Sequence, residues 1–375
     1  MRHSHPGGSV MIFACSNCEN SWRYPIKICL FCGHEVKKQK AHLMTVRAVT
    51  RVDVPSSGHE RVPYYNLLLE DNDGKLFLRK QLKKVSVGQE FVEETAQKQS
   101  LTIGIVGTGI MATGLASLLL QYDYPLIVNG RSHASLEKCK GQIRKFLLKG
   151  FDEEEVNRRM DSCIFVMELD ALAKADLIIE SIAEELTAKH EILRQVEQVC
   201  SDKAMIATNT SSFSITELAA VLEHPERFLG LHFFNPVSRM QLVEVVKGKK
   251  TAVETMEKGK KFAEDVGKSP VAVIDNPCFI VNRVLMPFLN EAAKVYDEGV
   301  ASVEDIDKAA VLGLNHPIGP LALIDLIGVD IFVNILGNLE RMLGDGYEPA
   351  KKALSLFKDG AVGRKAGKGF YSYEK

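Results

Sequence analysis

Four cysteines near the N-terminus have the spacing of a metal site. They form two Cys-x-x-Cys pairs, Cys15 with Cys18 and Cys29 with Cys32, separated by ten residues. Two such pairs supply four thiolates, the ligand set that favours tetrahedral zinc. Four sulfur ligands leave no position for a substrate, so we expect a structural zinc ion. Two redox or disulfide pairs, or iron in place of zinc, are the alternatives.

A second set of residues has the pattern of a dinucleotide-binding turn. The apolar run Leu101–Val106 is followed by Gly107, Gly109, Ile110 and Met111, and then by a helical stretch. Gly107 permits a tight turn, and Gly109 lets the backbone approach a pyrophosphate. The N-terminus of the helix that follows, predicted over Thr113–Gln121, directs N–H groups at phosphate oxygens. Gly107, Gly109, Ile110 and Met111 are the predicted cofactor contacts of this turn. A plain structural turn is the alternative.

The residues after the next predicted strand bear on which dinucleotide binds. An acidic residue usually stands here and accepts hydrogen bonds from the ribose hydroxyls, but the strand Pro125–Val128 is followed by Asn129, Arg131 and Ser132. An amide does not repel a 2′-phosphate, Arg131 can pair with it, and Ser132 can donate to it. We therefore favour NADP(H). NAD(H) stays open because Asn129 can bond a ribose hydroxyl, and Arg131 as an exposed turn residue is the alternative.

Further polar residues follow the apolar segments of the central part of the chain. Asp176–Ile182 and Ala204–Thr208 have the composition of buried strands, and Phe228–Leu231 precedes another polar segment. Ligands gather at the carboxyl ends of parallel strands, so we expect the polar residues there to share one site. They are Glu184, Lys189, Asn209, Ser211, His232, Asn235 and Glu244.

These segments resemble the L-3-hydroxyacyl-CoA dehydrogenase family over about residues 101–375. The resemblance rests on motifs that keep their order and spacing. They are Gly107-x-Gly109-x-Met111, Asn209–Ser212, Gly230–Pro236, Leu242–Val245, Phe279–Arg283 and Gly363–Tyr371. It implies a Rossmann-type doubly wound α/β sheet followed by an all-helical C-terminal domain that pairs two copies of the chain.

The resemblance also implies the roles of the site residues. The family's catalytic His–Glu pair falls on His232 and Glu244, and its substrate-oriented serine and asparagine fall on Ser211 and Asn282. Histidine exchanges protons readily near neutral pH, and an adjacent carboxylate can orient it. The cofactor positions of the family fall on Glu184 and Lys189, and the neighbouring amides that could reach nicotinamide are Asn209 and Asn235.

Each catalytic candidate has a plainer explanation when taken alone. His232 could be a buried core histidine, and Glu244 could be a solvent-facing strand residue. Ser211 could cap a helix that starts near Ile215. Their joint occurrence in the family's order favours catalysis. The predicted reaction is the NAD(P)-dependent interconversion of 3-hydroxyacyl and 3-oxoacyl thioesters. The alternatives are dehydrogenation of a free small hydroxy acid, or a non-catalytic scaffold.

The N-terminal quarter predicts a separate module. Short strands with glycine-containing turns suggest a small barrel after the cysteines. The module resembles rubredoxin-like zinc ribbon and OB-fold proteins that accompany acyl-CoA enzymes. A thiolase-type enzyme or an acyl carrier protein is the expected partner. Its basic residues could form a solvated face, contact a CoA phosphate or, least favoured, bind nucleic acid. The predicted domains are 10–40 (zinc ribbon), 41–95 (OB-like β-barrel), 101–275 (Rossmann) and 276–375 (helical).

The composition fits this organisation. The chain has 375 residues, 47 Lys and Arg against 48 Asp and Glu, and hence a net charge of −1. There is no global basic field to attract nucleic acid or an anionic membrane. No apolar run approaches the ~18 residues of a spanning helix. The first nine residues lack a secretory core, so we expect a soluble cytoplasmic protein.

Overall fold

The computed structural model describes residues 10–15, 21–22, 36–41, 44–52, 64–70, 76–81, 86–88, 90–91 and 101–373. The chain divides into two compact units. One contains Met1–Ser100 and Lys145–Met160, and the other contains Leu101–Arg144 and Asp161–Lys375. All of the predicted catalytic and cofactor residues lie in the second unit.

The N-terminal strands form two antiparallel sheets, with orders β2-β1-β3 and β6-β5-β4-β7. The strands are β1 (Val10–Cys15), β2 (Ser21–Trp22), β3 (Val36–Ala41), β4 (Met44–Val52), β5 (Tyr64–Glu70), β6 (Leu76–Gln81) and β7 (Glu90–Phe91). Short strands in this region agree with the sequence pattern, and β5 is one of them. Of the four predicted zinc ligands, Cys15 is described only as backbone, and Cys18, Cys29 and Cys32 lie outside the described residues. Within the described residues, no group of three or more His, Cys, Asp and Glu could hold a metal ion.

The second unit is built on an eight-stranded sheet of order β10-β9-β8-β11-β12-β13-β14-β15. Its strands are β8 (Ile103–Val106), β9 (Leu126–Asn129), β10 (Cys163–Val166), β11 (Leu177–Glu180), β12 (Met205–Thr208), β13 (Phe228–Phe233), β14 (Leu242–Lys247) and β15 (Ser269–Ile274). The first six are parallel and follow the 3-2-1-4-5-6 order of the predicted Rossmann sheet. β14 runs antiparallel to β13, and β15 is parallel to β14.

Helices stand between these strands along the chain. They are α1 (Ile110–Gln121), α2 (His133–Leu147), α3 (Glu153–Asp161), α4 (Leu186–Val199), α5 (Ile215–Leu218) and α6 (Val253–Asp265). The four residues of β8, β9, β11 and β12 are all buried, which explains why these strands are continuous apolar runs rather than alternating patterns. Ser214 caps the N-terminus of short helix α5, and its hydroxyl accepts from the Glu217 N–H. The suggestion that Ser211 caps this helix is therefore wrong.

The C-terminal part is helical, as expected. Its helices are α7 (Val281–Asp297), α8 (Val303–Gly313), α9 (Pro320–Ile327), α10 (Val329–Leu343) and α11 (Lys351–Lys358). They share an apolar core that includes Leu289, Phe332 and Leu336, each fully buried. Among the described residues, no single helix is long and apolar enough to cross a membrane; α9 and α10, bent by 97° at their junction, reach that length only as a pair.

Candidate active site

The turn between β8 and α1 has the geometry that the glycine pattern predicts. Gly107 has φ of +127°, and a Cβ built there would lie 2.4 Å from the carbonyl oxygen of Ser181. Only glycine therefore fits here, where the chain after β8 lies against the chain after β11. A Cβ at Gly109 would meet no atom within 4 Å. Gly109 precedes α1 and has no side chain to cap it, so the first N–H groups of α1 are available to the oxygens of a pyrophosphate.

The polar residues after β9 differ in how firmly they are held. Asn129 is 6% exposed, and its Nδ2 donates to the carbonyls of Met167 (3.0 Å) and Val166 (3.5 Å). These bonds engage the amide's donor group and leave Oδ1, a pure acceptor. The Ser132 hydroxyl accepts from the Ser135 N–H (3.3 Å) at the start of α2. Arg131 is exposed beside it.

A buried ion pair lies at the carboxyl end of β11 and joins Lys189 to Glu180, a residue that was not predicted for the site. Glu180 and Lys189 are 0% and 1% exposed, and the ammonium contacts both carboxylate oxygens at 2.8 and 3.0 Å. Glu180 also accepts from the Thr208 hydroxyl (2.6 Å) and the Ile182 N–H (2.7 Å). Full hydrogen bonding offsets the desolvation of both charges. The sequence held one signal of this pair, the carboxylate of Glu180 at the end of an apolar run, because a buried carboxylate needs a partner.

The same lysine supports Glu184, which organises the turn after β12. Lys189 Nζ lies 3.2 Å from Glu184 Oε2. Oε1 of Glu184 accepts from the Thr210 hydroxyl (2.6 Å), the Ser211 N–H (2.9 Å) and the Ser212 hydroxyl (3.1 Å). Burial raises the pKa of Glu184, but Lys189 and these donors outweigh it, so the net pKa lies below its ordinary value. Glu184 is therefore a carboxylate at neutral pH.

His232 and Glu244 are brought together by strand pairing. They are direct partners in the antiparallel pair β13–β14, so their side chains leave the same face of the sheet. The imidazole Nδ1 lies 2.6 Å from Glu244 Oε2, and the two residues are 5% and 0% exposed. The rings of Phe234 and Phe279 pack against the imidazole in tilted orientations, with centroids 4.4 and 5.7 Å away and interplanar angles of 47° and 54°.

The contacts of Glu244 fix the state of the imidazole. Its other oxygen, Oε1, accepts from the N–H groups of Ile280 and Val281, both at 2.9 Å, where α7 begins. Burial raises the pKa of Glu244, but the His232 bond and these two N–H groups outweigh it, and the net pKa is lowered. An ionised carboxylate can only accept, so Nδ1 of His232 carries the hydrogen. In the neutral ring the lone pair is then on Nε2.

The remaining predicted residues lie around this pair. Asn282, in the first turn of α7, donates from Nδ2 to the Ser211 carbonyl (3.1 Å). Asn209 is held by two internal bonds, donating to the Ser181 hydroxyl (3.3 Å) and accepting from the Phe233 N–H (2.9 Å). Asn235 follows β13 and is exposed. Hydrogen bonds thus link Ser211 to Glu184 and to Asn282, and the N–H groups just before Asn282 bind Glu244 of the His–Glu pair. Asn209 and Lys189 support the site through their bonds to Ser181, Phe233 and Glu184.

A residue of the helical part also reaches this turn. Asn338 of α10 donates to the Ser212 hydroxyl (3.2 Å), which itself donates to Glu184. One of two asparagines in an amphipathic helix gives little warning of such a contact, because only the fold brings it to Ser212, which is 126 residues away along the chain.

This arrangement combines two chemical capabilities at one edge of the sheet. An imidazole held in one tautomer can take a proton from a hydroxyl group and return it. The glycine turn and the start of α1 can bind a pyrophosphate. They lie at the carboxyl ends of the same strands, which is where dinucleotides bind in this fold. Fold and site together define a nicotinamide-dependent dehydrogenase.

Comparison with known proteins identifies the family. Residues 102–276 match the 3-hydroxyacyl-CoA dehydrogenase NAD binding domain, and residues 279–373 match the C-terminal domain of that family. A probable 3-hydroxybutyryl-CoA dehydrogenase of Deinococcus radiodurans is 38% identical over 278 residues, which are 73% of this chain and 100% of the relative. The mitochondrial hydroxyacyl-coenzyme A dehydrogenase of Sus scrofa is 35% identical over 285 residues, 72% of this chain and 91% of the relative.

A solved structure agrees. The (S)-3-hydroxybutyryl-CoA dehydrogenase of Ralstonia eutropha has a TM-score of 0.70 and 37% identity, and the match covers 73% of this chain and 99% of that one. The chain is an NAD-dependent dehydrogenase that belongs to the 3-hydroxyacyl-CoA dehydrogenase family. Residues before 102 lie outside both family matches.

Proposed function

We propose that the protein interconverts 3-hydroxyacyl-CoA and 3-oxoacyl-CoA, with a short acyl chain such as 3-hydroxybutyryl among its substrates. The observation that carries this proposal is the buried His232–Glu244 pair, joined at 2.6 Å at the strand ends where the dinucleotide turn lies. The 3-hydroxybutyryl-CoA dehydrogenases that the chain resembles support the acyl-CoA class.

In the oxidative direction, His232 acts as the general base. Its Nε2 takes the proton of the 3-hydroxyl group while the C3–H bond breaks and its electron pair leaves with the hydrogen as hydride. The two electrons of the former O–H bond complete the C3=O bond. Bound NAD⁺ supplies the hydride acceptor. In the reverse direction the imidazolium returns the proton to the ketone oxygen.

Glu244 keeps the imidazole ready for this exchange. The carboxylate accepts from Nδ1 and stabilises the imidazolium that forms when Nε2 is protonated. The N–H groups of Ile280 and Val281 hold the carboxylate in place, so the ring cannot rotate without breaking its bond to this fixed carboxylate.

Ser211 and Asn282 orient the substrate in this proposal. Glu184 holds the Ser211 backbone, and Asn282 holds the Ser211 carbonyl. A fixed hydroxyl and a fixed amide at this position can bond the reacting oxygen or the thioester carbonyl and so restrict the substrate to a reactive pose. We assign the cofactor contacts to Gly107, Gly109, Ile110, Met111, Asn129, Glu184 and Asn235. Lys189 and Asn209 support that surface from behind.

The choice between NAD and NADP depends on Asn129 and Arg131. The family match supports NAD. The engaged amide of Asn129 supports it too, because the remaining Oδ1 can accept from a 2′-hydroxyl but not from a phosphate. Arg131 and Ser132 are the residues that would bind a 2′-phosphate, since the Ser132 hydroxyl accepts from the Ser135 N–H and keeps its own hydrogen to donate. Comparing kcat/KM for NADH and NADPH decides between them.

The N-terminal cysteines form, in our proposal, a structural zinc site. The register of β1 and β3 pairs Cys15 with Val36, so the connection that contains Cys18, Cys29 and Cys32 begins and ends at adjacent strand positions. This supports a site that closes the end of a hairpin. Native mass spectrometry of the full chain should show one zinc, which Cys18→Ser removes. A chain that binds no zinc, or binds iron, contradicts the proposal.

The first 100 residues also suggest a partner. We propose a thiolase-type enzyme or an acyl carrier protein for this module, and a homodimer formed through the helical part. The apolar side chains that helices expose there support pairing of two copies, for example Val284 (69% exposed) on α7 and Leu312 (73%) on α8.

One assay tests the central proposal. Acetoacetyl-CoA, an acetoacetyl carrier protein and free acetoacetate are offered separately with NADH, and NADH absorbance is followed. We expect turnover of the CoA thioester, and none by the His232→Ala variant at unchanged thermal stability. Turnover of the free acid alone would overturn the thioester assignment, and turnover of the carrier-bound substrate alone would overturn the CoA assignment.

A further inference from the structure

A buried lysine outside the motifs contacts the chain that follows the catalytic histidine. Lys268 lies between α6 and β15 and is 7% exposed. Its Nζ donates to the carbonyls of Val237 (2.6 Å) and Met240 (2.8 Å). Both carbonyls belong to residues 234–241, which connect β13 to β14 and are called here the 234–241 loop.

The two bonds close a compact turn within that loop. The N–H groups of Arg239 and Met240 both donate to the Pro236 carbonyl, at 2.9 and 3.1 Å. These two N–H groups do not bond to the Val237 and Met240 carbonyls. The ammonium of Lys268 donates to both of those carbonyls instead. Both acceptors are neutral carbonyls, and burial lowers the pKa of Lys268. A charge desolvated in this way does little for stability, so its value lies in the geometry that it imposes.

The opposite side of the loop packs on the dinucleotide helix. Val237 is 3% exposed, and a Cβ built at Gly114 of α1 would lie 3.0 Å from Val237 Cγ2. The loop is therefore held between α1 and Lys268. Any change in the loop's position moves it against the helix whose first turn fits the pyrophosphate.

The start of the loop contains two residues of the site. The ring of Phe234 packs against that of His232, tilted by 47° with 4.4 Å between the ring centroids, and Asn235 follows it. We propose that Lys268 is a positioning residue that locks the 234–241 loop between α1 and β15, and so fixes Phe234 and Asn235 for nicotinamide binding beside His232. This inference rests on the proposed function for its meaning, but its primary test is cofactor binding.

The test compares Lys268→Met with Lys261→Met in the full chain. Lys261, on α6, is the matched control, because its exposed ammonium contacts only the neighbouring Asp265 at 2.8 Å. NADH affinity is measured by fluorescence without substrate, together with Tm. We expect Lys268→Met to weaken NADH binding by about tenfold, roughly the loss of one hydrogen bond to a charged group. Lys261→Met should leave the affinity unchanged, and Lys268→Arg, which can still donate to both carbonyls, should restore most of it.

Several outcomes would overturn the inference. A folded Lys268→Met with NADH affinity within twofold of the unsubstituted protein, whatever its Tm, shows a structural role only. If Lys268→Met does not fold, Val237→Ala loosens the loop from the α1 side. It should also weaken NADH binding, and unchanged affinity again refutes the positioning role. Failure of the proposed function is distinguishable, because it appears as absent acetoacetyl-CoA turnover in the unsubstituted protein while NADH still binds.

Discussion

Replacing Glu244 by glutamine tests the central pair with a minimal change in shape. Oε1 of Glu244 accepts from two N–H groups, those of Ile280 and Val281, so the amide oxygen of the glutamine must occupy that position. Its NH₂ group then faces Nδ1 of His232. Since NH₂ can only donate, Nδ1 must accept, and the hydrogen of the neutral ring moves to Nε2. The variant therefore presents the wrong tautomer to a hydroxyl group.

The contact distance gives the size of the effect. Nδ1 and Oε2 are 2.6 Å apart, which places the centres of the two delocalised charges about 4 Å apart. At an effective dielectric constant of about 20, this pair attracts by about 4 kcal/mol. Losing that stabilisation of the imidazolium lowers kcat by about 1000-fold, since ~1.4 kcal/mol corresponds to a factor of ten. NADH affinity should stay the same, because Glu244 does not belong to the cofactor surface.

The assay is NADH-dependent reduction of acetoacetyl-CoA by Glu244→Gln. Glu254→Gln, which alters a carboxylate of α6 that is 77% exposed, is the control and should retain full activity. Thermal melting checks that both variants are folded. A folded Glu244→Gln that loses less than tenfold in kcat would refute the role of the pair.

Three further outcomes are expected. Gly107→Ala should lower stability by on the order of 3 kcal/mol and abolish NADH binding, because its Cβ would lie 2.4 Å from the Ser181 carbonyl at φ of +127°; thermal melting measures this. The protein should use NADH better than NADPH, and Arg131→Ala should reduce only the NADPH activity; kcat/KM for both cofactors measures this. Glu184→Gln should destabilise the protein at neutral pH but not in acid. The lowered pKa contributes stability above the ordinary pKa of about 4.3, and that stability disappears as pH falls through the folded-state pKa; Tm against pH measures this.

Each outcome has a control and a contrary result. Gly141→Ala, in α2 with no atom near its Cβ, should raise stability by up to about 1 kcal/mol; an equal effect at Gly107 contradicts the steric argument. A higher kcat/KM with NADPH would restore the NADP preference. Glu185→Gln changes an exposed neighbour of Glu184 and should show no pH-dependent difference. A Glu184→Gln deficit that persists in acid contradicts the charge argument.

Much of the second unit could be predicted because its signals are local. The apolar run before Gly107, the glycine turn and the helix after it are adjacent in sequence, and each has a composition that permits one structure. His232 and Glu244 were identified through the family's motif order. They meet because β14 pairs antiparallel with β13 at the edge of the parallel strands. The composition of neither strand reveals this pairing.

The residues that the sequence did not reveal bond to groups that are distant along the chain. Lys268 contacts carbonyls 28 and 31 residues away, and Asn338 contacts a hydroxyl 126 residues away. Carbonyl oxygens exist at every residue, so no residue type marks such a partner. The Glu180–Lys189 pair lies between these cases, because a charged residue within a buried run signals a partner without identifying it.

The direct pairing of His232 with Glu244 also limits how this region can change. Side chains alternate across a strand, so shifting β14 by one residue relative to β13 would place Val243 or Val245 opposite the imidazole and rotate the carboxylate to the far face. Insertions and deletions between the strands are thus compatible with activity only where the connection absorbs the change in length and His232 stays paired with Glu244. A library of length variants across this connection should therefore separate into active members and fully inactive ones, with few intermediates.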